Sequence, residues 1–176
     1  MMHRRLKILL VGPTKAGKTA ISNMLAEYQD NLTQSYRPTV GCRIHEFEKE
    51  LKGKQGTASK VTLELWDVSG DPIYEKCWPA IQLNANGIIF VYDSSATTPD
   101  SEMEYWVKEF PKKMRLEPKF CMAFANKQNP ESKSQAAPMK GIVNVECSQD
   151  SAQTIHVAFD KYLQSLLSVP PSAGAV

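Results

Sequence analysis

Gly12-Pro13-Thr14-Lys15-Ala16-Gly17-Lys18-Thr19 is the stretch on which the reading of this chain turns. Before it runs an apolar segment, residues 6–11, interrupted only by Lys7; after it Ile21, Met24, Leu25 and Tyr28 recur at helical spacing. The first reads as a buried parallel strand and the second as an amphipathic helix over 18–28. A loop of the form GxxxxGK[ST] that leaves a strand and opens a helix turns its backbone N–H groups, and the positive end of the helix, toward anionic phosphate. The candidate phosphate-binding residues are therefore Gly12, Thr14, Lys15, Ala16, Gly17, Lys18, Thr19 and Ala20. Lys18 would bridge the outer phosphates and the Thr19 hydroxyl would ligate Mg²⁺. The loop specifies a nucleoside triphosphate but neither its base nor a reaction.

Working outward, residues 43–51 alternate imperfectly and predict an edge strand, and 53–59 a polar hairpin turn. Val61, Leu63 and Leu65 alternate with Thr62, Glu64 and Trp66, a half-buried strand that places Trp66 on its polar face. Further strands are expected at 87–93, 119–125 and 142–146, and helices at 99–110, stopped by Pro111, and at 151–167. Strands alternating with helices imply an α/β fold: a doubly wound, mostly parallel six-stranded sheet with helices on both faces and its sites at the strands' carboxyl ends. The chain from 126 to 148 is rich in Pro, Ser, Lys and Gln and lacks helical periodicity, so one late helix is expected to be reduced or missing.

The 176 residues fit one domain, and 42% hydrophobic residues suffice for a packed core. Lys and Arg number 21 against 19 Asp and Glu, a net +2 that lacks the basic footprint of a nucleic-acid binder. No apolar run reaches the length of a membrane span, no signal peptide opens the chain, and the last residues hold no cysteine for prenylation. A soluble intracellular domain without its own membrane anchor is expected. Cys42, Cys77, Cys121 and Cys147 form no CxxC pair and read as buried or half-buried free thiols.

Four further segments follow the phosphate loop in a fixed order. Thr39-Val40-Gly41 lies in the loop after the first helix, where a threonine can close over Mg²⁺. Trp66-Asp67-Val68-Ser69-Gly70 ends a strand, with Asp67 placed to hold Mg²⁺ through water and the Gly70 N–H to meet the terminal phosphate. Asn126-Lys127-Gln128-Asn129 and Cys147-Ser148-Gln149 follow the last two strands, at the positions of base-recognition turns. With the phosphate loop, this set resembles the Ras/Rab superfamily of small GTPases over nearly the whole chain, as a P-loop NTPase.

Trp66 and Tyr74 resemble two members of the aromatic triad by which Rab proteins display their nucleotide state, and the runs Cys77-Trp78-Pro79-Ala80 and Glu102-Met103-Glu104-Tyr105-Trp106, with no prenylated tail, are similar to the Rab-like GTPase of the intraflagellar transport B complex. That resemblance implies GTP or GDP with Mg²⁺ as ligands. Thr39, Gly70, Asn126, Lys127, Asn129, Ser148 and Gln149 would join the phosphate loop at the nucleotide, with Thr19, Thr39 and Asp67 at the metal. It further implies a coiled-coil pair of that complex as partner, monomeric behaviour alone, and a location in the cytoplasm and the cilium or flagellum near the basal body. On this reading 1–169 is the nucleotide-binding domain and 170–176 a short flexible tail.

The sequence departs from the pattern at two functional positions. Asp71 stands where such enzymes carry the glutamine that orients the attacking water, and no other residue is a candidate catalyst. A shorter, anionic side chain does not suit that role, and Thr14 crowds the loop, so intrinsic hydrolysis is expected to be weak even against the usual order of 10⁻⁴ s⁻¹. Asn129 replaces the aspartate that accepts from guanine; an amide offers one acceptor and one mismatched donor, which costs roughly 1–3 kcal/mol. Relaxed base selectivity follows. Two alternatives stand beside a switch: a scaffold subunit stabilised by its nucleotide without cycling, and a Rab-like vesicle-traffic switch without a lipid anchor. A P-loop kinase would need an acceptor lid for which the chain has no room.

Of the remaining residues, Trp78 and Trp106 are expected in the core and Trp66 and Tyr74 toward a partner. His3, His45 and His156 lack metal-ligand spacing, Lys112-Lys113-Met114-Arg115 reads as a solvated basic helix end, and Glu46, Glu48 and Glu50 as a solvated strand face.

Overall fold

In the computed structural model β1 (Arg4–Val11) occupies the middle of a six-stranded sheet, and Ile8, Leu9, Leu10 and Val11 have no solvent exposure. The cause is its two neighbours. It pairs in parallel with β3 (Ala58–Val68), Leu6 opposite Leu63 and Leu10 opposite Asp67, and with β4 (Gly87–Asp93), Val11 opposite Phe90. A strand flanked in this way is covered on both faces by connecting helices, so both of its side-chain sets must be apolar. The structure describes residues 4–27, 37–52, 58–97, 99–134, 137, 139–148 and 150–169.

The strand order is β2-β3-β1-β4-β5-β6, with β2 (Cys42–Lys52) antiparallel at one edge and β5 (Cys121–Asn126) and β6 (Val143–Cys147) parallel at the other. One core cluster unites Leu63, Leu65, Val91 and Phe124 with α1 (Lys18–Leu25) and α4 (Ala152–Ser168). The opposite face packs Leu9, Val11, Phe90 and Tyr92 against α2 (Trp78–Gln82) and α3 (Pro99–Val107). The doubly wound fold with helices on both faces is thus as expected. Between β5 and β6 the described residues form turns and no helix. Among the described residues no helix is long and apolar enough to cross a membrane.

Several boundaries differ from the sequence reading. Pro111 does not stop its helix. It lies inside a π-helical turn, Lys108–Lys112, after which the helix resumes over 113–114. The wider turn accommodates a residue that has no N–H to donate and whose ring would collide with a carbonyl of a regular α-turn. Pro118–Phe120 is a 3₁₀ turn, so β5 begins at Cys121 and runs on to Asn126. The segment 70–83, for which no element was expected, contains a 3₁₀ helix, Pro72–Cys77, and then α2. Cys77 is exposed, against the expectation of a covered thiol, while burial pushes the Cys121 thiol up to about 12 and the Cys147 thiol to about 11. Tyr28, most of the loop 29–38, most of the hairpin turn 53–59, His3, Gln149 and the tail 170–176 lie outside the described residues.

Trp78 and Trp106 are core residues as expected, 2% and 3% exposed, with ring centroids 5.2 Å apart and Phe110 5.1 Å from Trp78. Trp66 is half-buried: its ring lies under the Lys7 ammonium, 3.7 Å from the centroid, and its indole N–H donates to Glu64 Oε2 at 3.0 Å. Ile44, its cross-strand neighbour, is 50% exposed. The edge-strand carboxylates are paired rather than simply solvated: Arg5 bridges Glu46 and Glu64, and Lys60 binds Glu48 at 2.7 Å.

Candidate functional site

The carboxyl ends of β1, β3, β4 and β5 converge on the glycine-rich loop. Gly17 has φ +94, and a Cβ there would lie 2.4 Å from Asn126 Nδ2. Only glycine allows this left-handed turn against a neighbouring side chain. Asn126, 8% exposed, donates from Nδ2 to Ala16 O at 3.0 Å and so fastens the end of β5 to the loop. Gln128 donates to Lys15 O in the same way. Lys18, 6% exposed, folds back over the loop and donates to Gly12 O at 2.8 Å and Pro13 O at 2.6 Å. Burial pushes its ammonium down to about 8, opposed by the charge of Asp67.

Beside the loop, three residues from separate segments meet. The Thr19 hydroxyl donates to Asp67 Oδ2 at 2.6 Å, Thr39 Oγ1 is 2.9 Å from Thr19 Oγ1, and the Thr39 hydroxyl donates to Asp67 Oδ2 at 3.3 Å. The three candidate metal ligands are therefore brought together. Asp67 has no exposure, yet its Oδ1 has no hydrogen-bond partner. A buried carboxylate oxygen left unpaired is costly, and a bound cation and its waters would satisfy it. The donor set of two hydroxyls and one carboxylate consists of hard oxygens of the kind Mg²⁺ takes together with phosphate. Among the described residues no cluster of three His, Cys, Asp or Glu offers a rival metal site.

Gly70 touches the loop from the other side: a Cβ there would lie 2.5 Å from Thr14 N and 2.6 Å from Gly12 O. Thr14 and Lys15 are exposed at the loop's outer surface, and Ala20 on the first turn of α1. Asp71 does not face the loop as a free acid. Its Oδ1 accepts from Ile73 N at 3.0 Å, which makes it the N-cap of the 3₁₀ helix, and its own N–H donates to Ser69 Oγ at 3.2 Å. The pair Asp71-Pro72, a capping residue before a proline at the first helical position, carried that signal in the sequence.

The base side is built differently. Lys127 N–H donates to Cys147 O at 2.7 Å, joining the two turns expected to read the base. Asn129 has its Oδ1 engaged by Glu131 N–H at 3.0 Å and its own N–H bound to Ser95 Oγ at 3.1 Å. Ser148 is tied to Ser151 just ahead of α4: its N–H donates to Ser151 Oγ at 3.0 Å. Ser95 had no part in the sequence reading, and Gln128 stood there only as a residue of the turn 126–129 with no role of its own; the polar turn 93–95 after an apolar strand is the one signal that could have pointed to the first.

Known proteins agree with this architecture. A family model described as Roc, the Ras of Complex, Roc, domain of DAPkinase, matches residues 7–129. Intraflagellar transport protein 22 homologues from Homo sapiens and Macaca fascicularis are each 34% identical over 168 residues, covering 92% of this chain and 90% of theirs. A GTP-bound crystal structure of T. brucei IFT22/74/81 superposes with a TM-score of 0.70 and 27% identity, covering 93% of this chain and 98% of that one. A GDP-bound T. brucei IFT22 structure gives 0.68 and 26%, covering 93% and 97%. This chain belongs to the intraflagellar transport protein 22 family of Ras-like GTPases.

Proposed function

We propose that the protein is a Rab-like GTP-binding subunit of the intraflagellar transport B complex, acting in the cilium or flagellum. The observation that carries the nucleotide reading is the meeting of Thr19, Thr39 and Asp67 beside Lys18, with Asp67 Oδ1 buried and unpaired. Lys18 would exchange Gly12 O and Pro13 O for phosphate oxygens, and the loop's N–H groups would receive the rest of the anion. Thr19, Thr39 and Asp67 would hold Mg²⁺, which when bound neutralises phosphate charge. The Gly70 N–H would meet the terminal phosphate, and Lys127 and Ser148 would serve the base. Titration of the nucleotide-free protein with GTP in Mg²⁺ and in chelator tests this; affinity that is absent, or indifferent to Mg²⁺, refutes it.

Hydrolysis is expected to be weak, because Asp71 uses its carboxylate to cap a helix and offers no amide to a water. Single-turnover phosphate release at rates typical of small GTPases would refute that. Base selectivity is expected to be relaxed, since the Asn129 carbonyl oxygen is committed to Glu131. The same Asp71 observation favours the second reading, a nucleotide-stabilised scaffold that does not cycle.

The partner proposed is a coiled-coil pair of the complex, in keeping with the IFT22/74/81 assembly seen in T. brucei. Val40, Ile44 and Ile73, 78%, 50% and 76% exposed, with half-buried Trp66 between them in the chain, supply apolar area beside the nucleotide loops. Affinity for such a coiled coil in the GTP, GDP and nucleotide-free forms separates switch from scaffold: a switch requires a difference and a scaffold does not.

A further inference from the structure

We infer that Ser95, held by Asp93, is a positioning residue for the base-side turn of the nucleotide site, where the described residues between β5 and β6 form no helix to anchor it. The inference rests on the nucleotide reading above. In a chain with a full helix after β5, the turn at 126–129 would be anchored by the backbone ladder of that helix; here the described residues between β5 and β6 form only turns. What anchors the segment instead is the end of β4. Asp93, its last residue, accepts at Oδ1 from Ser95 N–H at 2.9 Å and from the Ser95 hydroxyl. That leaves the Ser95 oxygen oriented as an acceptor, and Asn129 N–H donates to it at 3.1 Å. One residue before Asp93, the Tyr92 oxygen accepts from Ala137 N–H at 2.9 Å and from Asn144 Nδ2 at 2.7 Å. Three nearby positions at one strand end thus hold the segment at its beginning and near its close.

The two anchors differ in reach. Tyr92 has no exposure and its ring is part of the core, so removing it tests the fold. Ser95 is half-buried and, among the described residues, its hydroxyl bonds Asp93 and Asn129, so it can be altered without opening a cavity.

The experiment measures binding of a fluorescent GTP analogue and its displacement by GTP and by inorganic tripolyphosphate, all with Mg²⁺, for wild type, Ser95→Ala, Asp93→Asn and Ser95→Thr. Tripolyphosphate carries the anion without the base. Loss of one hydrogen bond predicts GTP affinity weakened about three- to tenfold in Ser95→Ala and Asp93→Asn. The tripolyphosphate constant stays unchanged, and Ser95→Thr, which keeps the hydroxyl, restores GTP binding. Unchanged GTP affinity in Ser95→Ala overturns the inference, as does equal weakening of both ligands, which would mark a merely structural residue. Tripolyphosphate that fails to displace the analogue from the wild type overturns the separation of base side from phosphate side on which it depends. A wild type that binds neither GTP nor its analogue overturns the nucleotide reading, and this inference with it.

Discussion

The phosphate side and the base side of the site are made by opposite means. On the phosphate side the geometry comes from the backbone. The glycine-rich loop is shaped by left-handed turns at Lys15 and Gly17, and Gly70 fits against it for want of a side chain. On the base side the geometry comes from side chains bonding to a segment with no regular structure of its own, through Ser95, Asn129, Gln128 and Tyr92. Backbone shape is fixed by residue type over a few positions and survives most surface change. A loop pinned by separate hydrogen bonds, each worth about 1 kcal/mol, yields one pin at a time. Affinity is therefore expected to reside with the phosphates and fine discrimination with the pins.

The largest test of that contrast is Lys18→Met. Loss of a buried cation that would meet phosphate directly on the proposed reading should weaken GTP about 100-fold or more by equilibrium titration; a loss under tenfold would break the assignment of affinity to this side. The same variant has a pH signature without nucleotide. Burial holds the folded-state Lys18 at about 8 against 10.5 for the free group, so between those values the unfolded chain binds more protons and stability rises with pH. Below about pH 8 both states are protonated and the penalty is fully present. Thermal unfolding from pH 7.5 to 10.5 should show the rise in wild type and lose that part of it in Lys18→Met. Next in size is Asp67→Ala, for which GTP affinity should fall about tenfold or more and become equal with and without Mg²⁺. A Mg²⁺ dependence that persists would remove Asp67 from the metal site.

Base-side changes should be smaller. Asn129→Asp keeps one oxygen for Glu131 N–H and supplies a second acceptor, so GTP should bind about tenfold tighter while tripolyphosphate is unaffected. No gain would mean that the turn does not face the base. Gln128→Ala removes an exposed bond to Lys15 O and should cost threefold or less in GTP affinity; a loss as large as that of Lys18→Met would erase the contrast.

The contrast also explains what could be read from the chain in advance. The loop 12–19 with Thr19 and the sheet around β1 follow from patterns that need only local sequence, a continuous apolar run and glycines at fixed spacing, whereas the candidate metal residues Thr39 and Asp67 come from the order of segments that carries the family resemblance. The missing helix was visible as lost periodicity between 126 and 148. The Asp93–Ser95–Asn129 chain was not, because it joins residues 34 positions apart through hydroxyl and amide groups that occur in any polar turn. Pro111 misled for a related reason. A proline signals the end of a regular helix, and the signal does not reveal that packing of Phe110, fully buried beside Trp78 and Trp106, repays a π-turn that carries the helix past it.

The short 3₁₀ helix Pro72–Cys77 is held at both ends and tied between them at Glu75, which accepts from the Tyr105 hydroxyl of α3. One end begins beside Gly70, pressed to the phosphate loop, and the other leads into Trp78, locked among Trp106, Phe110 and Tyr105, while none of its six residues is buried. A strip clamped at both ends and tied at Glu75 can bow but cannot travel. A displacement begun at Gly70 would be taken up within a few residues as a change of curvature, with Ile73 and Tyr74, which precede that tie, at the crest. The message of an occupied site would then be the local outline of a single surface bulge, legible to a partner lying across it and silent to the rest of the molecule.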